Sequence, residues 1–252
     1  MKRNGEEQRE VERDGISAIL IFLAILLCLL VNWFSYLDTQ RHLQSAAQTD
    51  AQVEQRVNFR PEDDLLLVLV NSRNPLPEDW TITPRMVGDE VVDIRAYEGL
   101  IAMFDAAAEE NIWFWVVSGY RSPGQQEIVL DRAIKNNETA GMTEKEAQED
   151  ALRTVAQPGY SEHHTGFAVD LNDVTDDFEE SDAYRWLSRH AAEYGFIQRY
   201  KPEKSAVTGI DRESWHYRYV GKAHAKEMER LDFCLEEYVE YLKDNAYSGP
   251  DF

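Results

Sequence analysis

Cysteine is scarce in this sequence. The 252-residue chain has only two, Cys28 and Cys234, and the first lies inside an apolar run. The part of the chain after that run therefore has no disulfide framework, and a metal site of the CxxC type is excluded. A transition metal would have to be bound by nitrogen and oxygen ligands.

Basic residues are also few. There are 26 Lys and Arg residues against 47 Asp and Glu residues, which gives a formal net charge of -21. Such a chain repels phosphate groups, so we expect no nucleic-acid partner. Hydrophobic residues make up 43% of the chain and aromatic residues 11%, more than a disordered protein contains. A globular domain is therefore expected.

One long stretch contains no charged residue. It covers residues 16–37, ISAILIFLAILLCLLVNWFSYL, and its 22 residues are close to the roughly 20 that a helix needs to cross a bilayer. Trp33 and Tyr36 near its end suit a membrane interface. The alternative is a cleaved signal peptide, but the apolar stretch is longer than usual and no small-residue cleavage pattern follows it. We therefore expect a transmembrane helix.

The flanking charges predict the orientation of this helix. Four basic residues precede it, whereas the nearest one after it is Arg41. The positive-inside rule then places the N-terminus in the cytoplasm, and the five acidic residues before the helix count little in that rule. The expected organisation is a cytoplasmic tail at 1–15, a transmembrane helix at 16–37, a polar, Gln-rich stalk at 38–61 and an extracytoplasmic domain at 62–252.

Apolar patterns predict the secondary structure of the domain. The predicted elements are a buried strand at 65–70, a helix within 91–110, a strand at 113–117, helices that begin near 123 and 144, a helix at 181–196, strands at 196–200 and 214–220, and a closing helix at 223–243. Helices and short strands alternate without a regular βαβ repeat, which favours an α+β domain with a small antiparallel sheet.

The segment SEHHTGFAVD, residues 161–170, is a candidate metal site. If its second half is a strand, Asp170 points away from Phe167 and Val169. Gly166 permits a sharp turn, so His163 or His164 can fold back toward the Asp170 carboxylate and share a metal with it. The alternative is a histidine whose hydrogen bonds serve only the structure.

His216 is the candidate for a third ligand. In ESWHYRYV it alternates with Trp215, Tyr217 and Tyr219, so it points away from an aromatic packing face. Glu213 precedes it by three residues, and in a regular strand the two side chains would lie on opposite faces. We therefore place Glu213 on the loop that leads into the strand.

Two histidines, one aspartate and a water form a catalytic zinc site, because structural zinc sites are usually closed by four protein ligands. A glutamate beside that water would take its proton and pass it to a leaving amine, which makes the site that of an amide hydrolase. Arg121 in SGYRS can bind a carboxylate through two parallel hydrogen bonds, although a surface arginine is the plain alternative. If that carboxylate is a substrate C-terminus, the enzyme removes terminal residues.

Three segments also carry a family resemblance. In order and spacing, SGYRS-x3-Q (residues 118–126), SEHHTGFAVD (161–170) and E-x-W-HYRYVG (213–221) resemble the VanY-type D-alanyl-D-alanine carboxypeptidases and their L,D-carboxypeptidase relatives in the LAS group of zinc peptidases. The resemblance extends from about residue 64 to residue 242. It implies a LAS / Hedgehog-like α+β fold with Zn²⁺ bound on a small antiparallel sheet.

The resemblance also implies roles for individual residues. The implied zinc ligands are His163, Asp170 and His216. Glu213 would be the catalytic base. The implied substrate-binding residues are Arg121, which binds the substrate carboxylate, Gln126 and Ser161. Ser214 departs from the pattern, since relatives often have proline there.

The function expected from these observations is that of a membrane-anchored zinc carboxypeptidase that removes the C-terminal D-alanine from peptidoglycan stem peptides. The alternatives of D,D-carboxypeptidase, L,D-carboxypeptidase and endopeptidase activity stay open. A different class of function is a non-catalytic module that binds or senses wall peptides. Glu213 argues against that class, because a binding module needs no base there.

Overall fold

The computed structural model describes Trp33 and residues 64–246. The predicted cytoplasmic tail and stalk lie outside the described residues, as does the predicted transmembrane helix apart from Trp33. Within the part of the chain that is described, no helix is both long and apolar enough to cross a membrane.

Helices and strands alternate along the described part of the domain. The α-helices are α1 (Ile94–Glu109), α2 (Pro123–Thr139), α3 (Glu144–Ala151), α4 (Asp182–His190), α5 (Ser205–Thr208), α6 (Lys222–Leu231) and α7 (Leu235–Ala246). The strands are β1 (Pro84–Val87), β2 (Glu90–Asp93), β3 (Val116–Ser118), β4 (Ala168–Leu171), β5 (Phe196–Tyr200) and β6 (Glu213–Tyr219). Short 3-10 helices connect several of them, among them Glu162–Thr165.

The strands form two antiparallel sheets. Strands β1 and β2 pair as a hairpin, and the other four form a sheet in the order β3-β4-β6-β5. The predicted α+β class with a small antiparallel sheet is confirmed. The hairpin was not predicted, because most of β1 is exposed and its residues show no alternation of apolar and polar side chains.

The helices begin where local capping dictates. Asp93 caps α1 by accepting a hydrogen bond from the Arg95 amide, and the buried residues of α1 recur at helical spacing on one face. Helices α2 and α3 both begin with capping boxes, formed by Ser122 with Gln125 and by Thr143 with Glu146. The starts predicted for these two helices are confirmed.

The core lies on one face of the four-stranded sheet. Val169, Leu171 and Tyr217 from the two central strands belong to the same buried cluster as Leu100 and Met103 of α1. Successive side chains of a strand alternate between faces, so the other face of the same two strands presents Asp170 and His216. The two central strands thus link the core to the candidate site.

Two predicted elements are wrong. Residues 65–70 do not form a strand: Leu65–Leu67 is a 3-10 helix, because the Asp64 side chain accepts a hydrogen bond from the Leu66 amide and starts a helical turn. The closing helix is two helices, α6 and α7. They are separated at Asp232, which adopts a left-handed conformation with φ +52° and ends α6.

Candidate metal centre and active site

Three side chains converge on the face of the sheet opposite the core. His163 comes from the 3-10 helix Glu162–Thr165, Asp170 from β4 and His216 from β6, where it pairs directly with Asp170. All three are buried, and one nitrogen or oxygen atom from each lies within 4.8 Å of the others. Among the described residues this is the group of histidine, cysteine and acidic side chains that can hold a metal ion.

The Asp170 carboxylate lies between the two imidazoles. Its Oδ1 is 2.9 Å from His216 Nδ1, and its Oδ2 is 3.3 Å from His163 Nε2. Ligands held at about 2.0–2.1 Å around a tetrahedral zinc are separated by about 3.3 Å, so these separations fit zinc. The other ring nitrogen of His163, Nδ1, lies 2.7 Å from the Gly119 carbonyl oxygen and donates to it. Nε2 is thereby left to bind the metal.

Gly119 is needed for this arrangement. A Cβ atom on Gly119 would lie 2.2 Å from the Val91 carbonyl oxygen, so no larger residue fits without moving the backbone. The close approach of the SGYRS segment to β2 therefore fixes the carbonyl group that orients His163.

The second nitrogen of His216 faces a buried glutamate. His216 Nε2 is 3.4 Å from Glu162 Oε2, while Glu162 Oε1 accepts hydrogen bonds from Arg199 (2.8 Å) and Arg218 (3.0 Å). Burial alone would raise the pKa of Glu162, but the two guanidinium groups hold it well below its usual range. Glu162 is therefore an anion, and it accepts a hydrogen bond from His216 Nε2–H, which orients the ring.

Sequence reasoning missed this buried ion cluster of Glu162, Arg199 and Arg218. Two signals pointed to it: Glu162 adjoins His163 in SEHH, and Arg218 is two residues from His216 and so shares its strand face. Arg199 comes from β5 and is brought close only by the pairing of β5 with β6.

The charges around the site favour a cation. Burial would raise the pKa of Asp170, but His163 and His216 hold it well below its usual range. Burial would also lower the pKa of His216, yet its hydrogen bonds with Asp170 and Glu162 raise it to about 9. Buried carboxylates thus draw positive charge to this point, which a divalent metal ion supplies.

Glu213 lies beside the group. Its Oε2 is 3.7 Å from His216 Nδ1, and burial raises its pKa to about 8. The prediction that Glu213 lies on a loop is wrong, because β6 begins at this residue. Gln198 pairs with Tyr217 but Tyr200 pairs with Glu213, so the register shifts by extra residues in β6. Because of this bulge, Glu213 lies on the same face as His216, whereas in a regular strand the two side chains would lie on opposite faces.

Arg121 also contacts the group. Its guanidinium donates to Ser118 Oγ (2.9 Å), Gln126 Oε1 (2.8 Å) and Asp170 Oδ2 (3.3 Å), so it is not an ordinary surface arginine. Gln126 is buried and donates to the Ala156 carbonyl oxygen. The structure therefore shows Gln126 holding Arg121 in place.

Ser161 caps the 3-10 helix that carries His163, since its hydroxyl accepts a hydrogen bond from the His163 amide. Together with Arg121, Gln126 and Glu213 it lines a cleft of about 210 Å³ that opens at the three candidate ligands. All seven predicted site residues thus meet in one cleft.

His164 lies outside the group. Its Nδ1 donates to the Arg121 carbonyl oxygen at 2.6 Å, and its Nε2 accepts from the Gly159 amide at 3.0 Å. Both ring nitrogens are engaged with the backbone, so His164 has a structural role. The choice between His163 and His164 that the local sequence left open is resolved by these contacts.

Replacing Glu162 by alanine is expected to lower the free energy of unfolding by about 3–5 kcal/mol. The variant leaves the buried guanidinium of Arg218 without a carboxylate partner, which is costly. The midpoint of urea unfolding measures the change, with Glu127→Ala on the exposed face of α2 as the matched control. Equal midpoints for the two variants would contradict a structural role for the buried ion cluster.

The sequence is similar to those of known proteins. A family model described as VanY, D-alanyl-D-alanine carboxypeptidase, matches residues 89–222. A D-alanyl-D-alanine carboxypeptidase of Enterococcus faecalis is 37% identical over 179 residues, which cover 71% of this chain and 67% of that protein.

Two solved structures resemble the domain. One is a mutant of the vancomycin-resistance D,D-pentapeptidase VanY from a VanB-type cassette in complex with Zn(II). It has a TM-score of 0.65 and 38% identity, and the match covers 69% of this chain and 99% of that one. The other, the LD-carboxypeptidase LdcB, has a TM-score of 0.59 and 32% identity, with 71% and 87% of the chains covered.

The family model spans more than half of the chain, and the zinc-bound relative shares the fold at substantial identity. The His163, Asp170 and His216 group offers the nitrogen and oxygen donors that zinc takes. The chain therefore belongs to the VanY family of D-alanyl-D-alanine carboxypeptidases and is a zinc carboxypeptidase.

Proposed function

We propose that this protein is a D,D-carboxypeptidase that removes the terminal D-alanine from peptidoglycan stem peptides. The observation that carries the proposal is the convergence of three parts in one cleft. These parts are a buried metal-binding group, a carboxylate beside it in Glu213, and a fixed positive charge in Arg121.

We infer that His163, Asp170 and His216 bind zinc. When bound, the zinc ion lowers the pKa of a water molecule and polarises the scissile carbonyl group. The Gly119 carbonyl oxygen orients the His163 ring, and Glu162 orients the His216 ring. Both ligands are therefore in position before the metal binds.

Arg121 holds the C-terminal carboxylate of the substrate. Its guanidinium is fixed by Ser118 and Gln126, so the positive charge is positioned before the peptide binds. Gln126 and Ser161 line the same cleft and are the further residues that contact the substrate. Binding of a terminal carboxylate at this point restricts cleavage to the last peptide bond.

Glu213 acts as the general base and acid. Burial raises its pKa to about 8, so it binds a proton more readily than an exposed glutamate does. It takes the proton from the attacking water and passes it to the leaving amine of D-alanine.

The D,D class is favoured over the L,D class by similarity. Identity is 37% with the D-alanyl-D-alanine carboxypeptidase of E. faecalis and 38% with the D,D-pentapeptidase VanY, but 32% with LdcB. The stem peptide is proposed as substrate on the same ground, since the structure of LdcB reveals the molecular basis of peptidoglycan recognition.

Mass spectrometry of purified muropeptides tests the function. The protein is incubated with muropeptides that end in D-Ala-D-Ala or in a single D-Ala. We expect loss of one alanine from the first, abolished by a chelator and restored by zinc. Cleavage of the second alone would assign the L,D class, and binding of both without cleavage would favour a sensing module.

We further propose that residues 16–37 anchor the chain in the cell membrane, with the N-terminus in the cytoplasm and the zinc domain outside. The support is the uncharged stretch and the basic residues before it. Peptidoglycan lies outside the membrane, which agrees with this topology. Protease added to wall-free cells should digest the domain, and protection of the domain would contradict the proposal.

A further inference from the structure

Two tryptophans on the surface of the domain are more than half exposed to solvent. Trp113 and Trp115 are 68% and 56% exposed, and Val117 extends this tryptophan stripe with 37% exposure. The residues between them point inward: Phe114 contacts Trp186, with ring centroids 5.8 Å apart, and Val116 packs against the core. Neighbouring exposed indoles indicate a ligand-binding or interaction surface.

The backbone beneath the tryptophan stripe is held rigidly. The Asn172 side chain accepts a hydrogen bond from the Trp115 amide (3.1 Å) and donates to the Trp113 carbonyl oxygen (3.0 Å). The Asn172 amide donates to the Trp115 carbonyl oxygen (3.1 Å). Asn172 adopts φ +59°, a conformation that asparagine tolerates. The two indoles are therefore displayed from a fixed backbone, which lowers the entropic cost of binding.

The tryptophan stripe shares a sheet face with the metal-binding group. Val116 pairs with Leu171 on the core face, so Trp115, one residue earlier, lies on the face that Asp170 occupies. One extra residue in β3 then places Ser118 opposite Asp170. The stripe thus runs along the edge of the sheet, away from the cleft but on the same side.

The spacing matches the proposed substrate. Trp115 and Trp113 precede β3 by one and three residues, so in an extended chain of about 3.3 Å per residue they lie at most about 10 Å and about 17 Å from Ser118, the partner of Asp170. A pentapeptide in an extended conformation spans about 17 Å. A stem peptide whose last residue is in the cleft can therefore place its sugar-linked end at the tryptophan stripe.

We propose that Trp113 and Trp115 bind the amino-sugar rings of the glycan strand to which the stem peptide is attached. This inference rests on the proposed function and extends it from the peptide to the sugar. The flat indoles would contact the C–H faces of the rings. A cavity of about 790 Å³ beside Trp113 offers polar groups for the hydroxyl and acetamido groups, among them Asn111, Asp182 and Arg185.

The surrounding charge favours sugar over a lipid surface. Five acidic residues lie close in the chain either to the stripe or to Asn172, which is hydrogen-bonded to the stripe. They are Glu109, Glu110, Asp173, Asp176 and Asp177. Arg185 and Arg189 line the cavity beside Trp113, but Arg185 is paired with Asp182, and the five acidic residues outnumber the two arginines. Membrane-binding surfaces combine aromatic residues with an excess of lysine and arginine, so the charge here disfavours anionic lipid headgroups. A neutral polysaccharide meets no such penalty.

The test compares two substrates in the wild type and three variants. The full chain, purified in mild detergent, is assayed with free pentapeptide and with glycan chains that carry the same pentapeptide. In the Trp113→Ala/Trp115→Ala variant, the ratio of kcat/KM for glycan-linked to free peptide should fall about tenfold or more. Ile128→Ala removes an equally exposed apolar side chain from α2 and should leave the ratio unchanged. Trp115→Phe should retain most of it.

Cosedimentation with peptide-free glycan strands gives a readout that does not depend on catalysis. We expect the double variant to bind these strands at least about tenfold more weakly than the wild type. An unchanged ratio together with unchanged sedimentation would overturn the inference, and so would loss of binding only to anionic vesicles, which would assign a membrane contact. Absence of cleavage of free pentapeptide by the wild type contradicts the proposed function instead, so the two failures are distinguishable.

Discussion

Replacing Glu213 by alanine is expected to lower kcat by about 10²–10⁴-fold while zinc stays bound. The expected loss follows from its place in the cleft: the carboxylate is 3.7 Å from His216, buried, and has its pKa raised to about 8 by that burial. No other carboxylate lining the cleft is suited to the role, because Asp170 lies among the metal-binding atoms and Glu162 is paired with Arg199 and Arg218.

The same variant should not lower the stability of the fold. A buried carboxyl group whose pKa is raised by burial is desolvated at a cost, so its removal relieves the folded state of that cost. A catalytic residue commonly shows this combination of lost activity and retained stability. The midpoint of urea unfolding for Glu213→Ala should therefore equal or exceed that of the wild type.

The measurements for Glu213 are kcat on the D-Ala-D-Ala peptide and the zinc content of the purified variant. Glu213→Gln keeps the shape but not the base, and should lose activity to a similar extent. Glu127→Ala, which removes an exposed glutamate from α2, is the control and should retain full activity. Full activity in Glu213→Ala would refute the assignment, and so would a loss of zinc equal to the loss of activity.

More of the site than of the fold that supports it could be predicted from the sequence. Asp170 and His216 lie in segments whose alternation is local, so the sequence indicates where these two side chains point, whereas His163 and His164 remained alternatives until the family resemblance was considered. The position of Glu213 could not be predicted, because the bulge that redirects it arises from pairing between β5 and β6. The buried ion cluster was missed for the same reason, since Arg199 and Glu162 are 37 residues apart in the chain.

The errors in secondary structure have a similar origin. The run LLLVLV has the apolar continuity of a buried strand, but the Asp64 cap starts a helical turn and Leu65 stays exposed. The closing helix has amphipathic periodicity on both sides of Asp232, so periodicity alone does not indicate where the chain turns. Helix starts that depend on a local cap, such as those at Ser122 and Thr143, were predicted correctly.

The adjacent histidines His163 and His164 should respond in opposite ways to substitution. His163→Ala removes a metal-binding nitrogen 3.3 Å from Asp170 Oδ2. Loss of a residue that only orients a ligand costs 10–100-fold in metal affinity, so loss of the ligand itself should weaken zinc binding by more than about 100-fold. Activity should fall with it, because the remaining Asp170 and His216 do not complete the site.

His164→Ala should instead keep zinc and lower stability. The substitution leaves the partly buried Arg121 carbonyl oxygen and Gly159 amide without their partner. A fully buried group left unsatisfied costs about 1–3 kcal/mol, so we expect a loss of about 1–3 kcal/mol for the two groups together. Competition with a chromogenic chelator measures zinc affinity, and urea unfolding measures stability, so each variant serves as the other's control. Zinc loss in His164→Ala with zinc retained in His163→Ala would reverse the assignment of the ligand, because both side chains project from the same 3-10 helix and only one of them has a ring nitrogen facing Asp170.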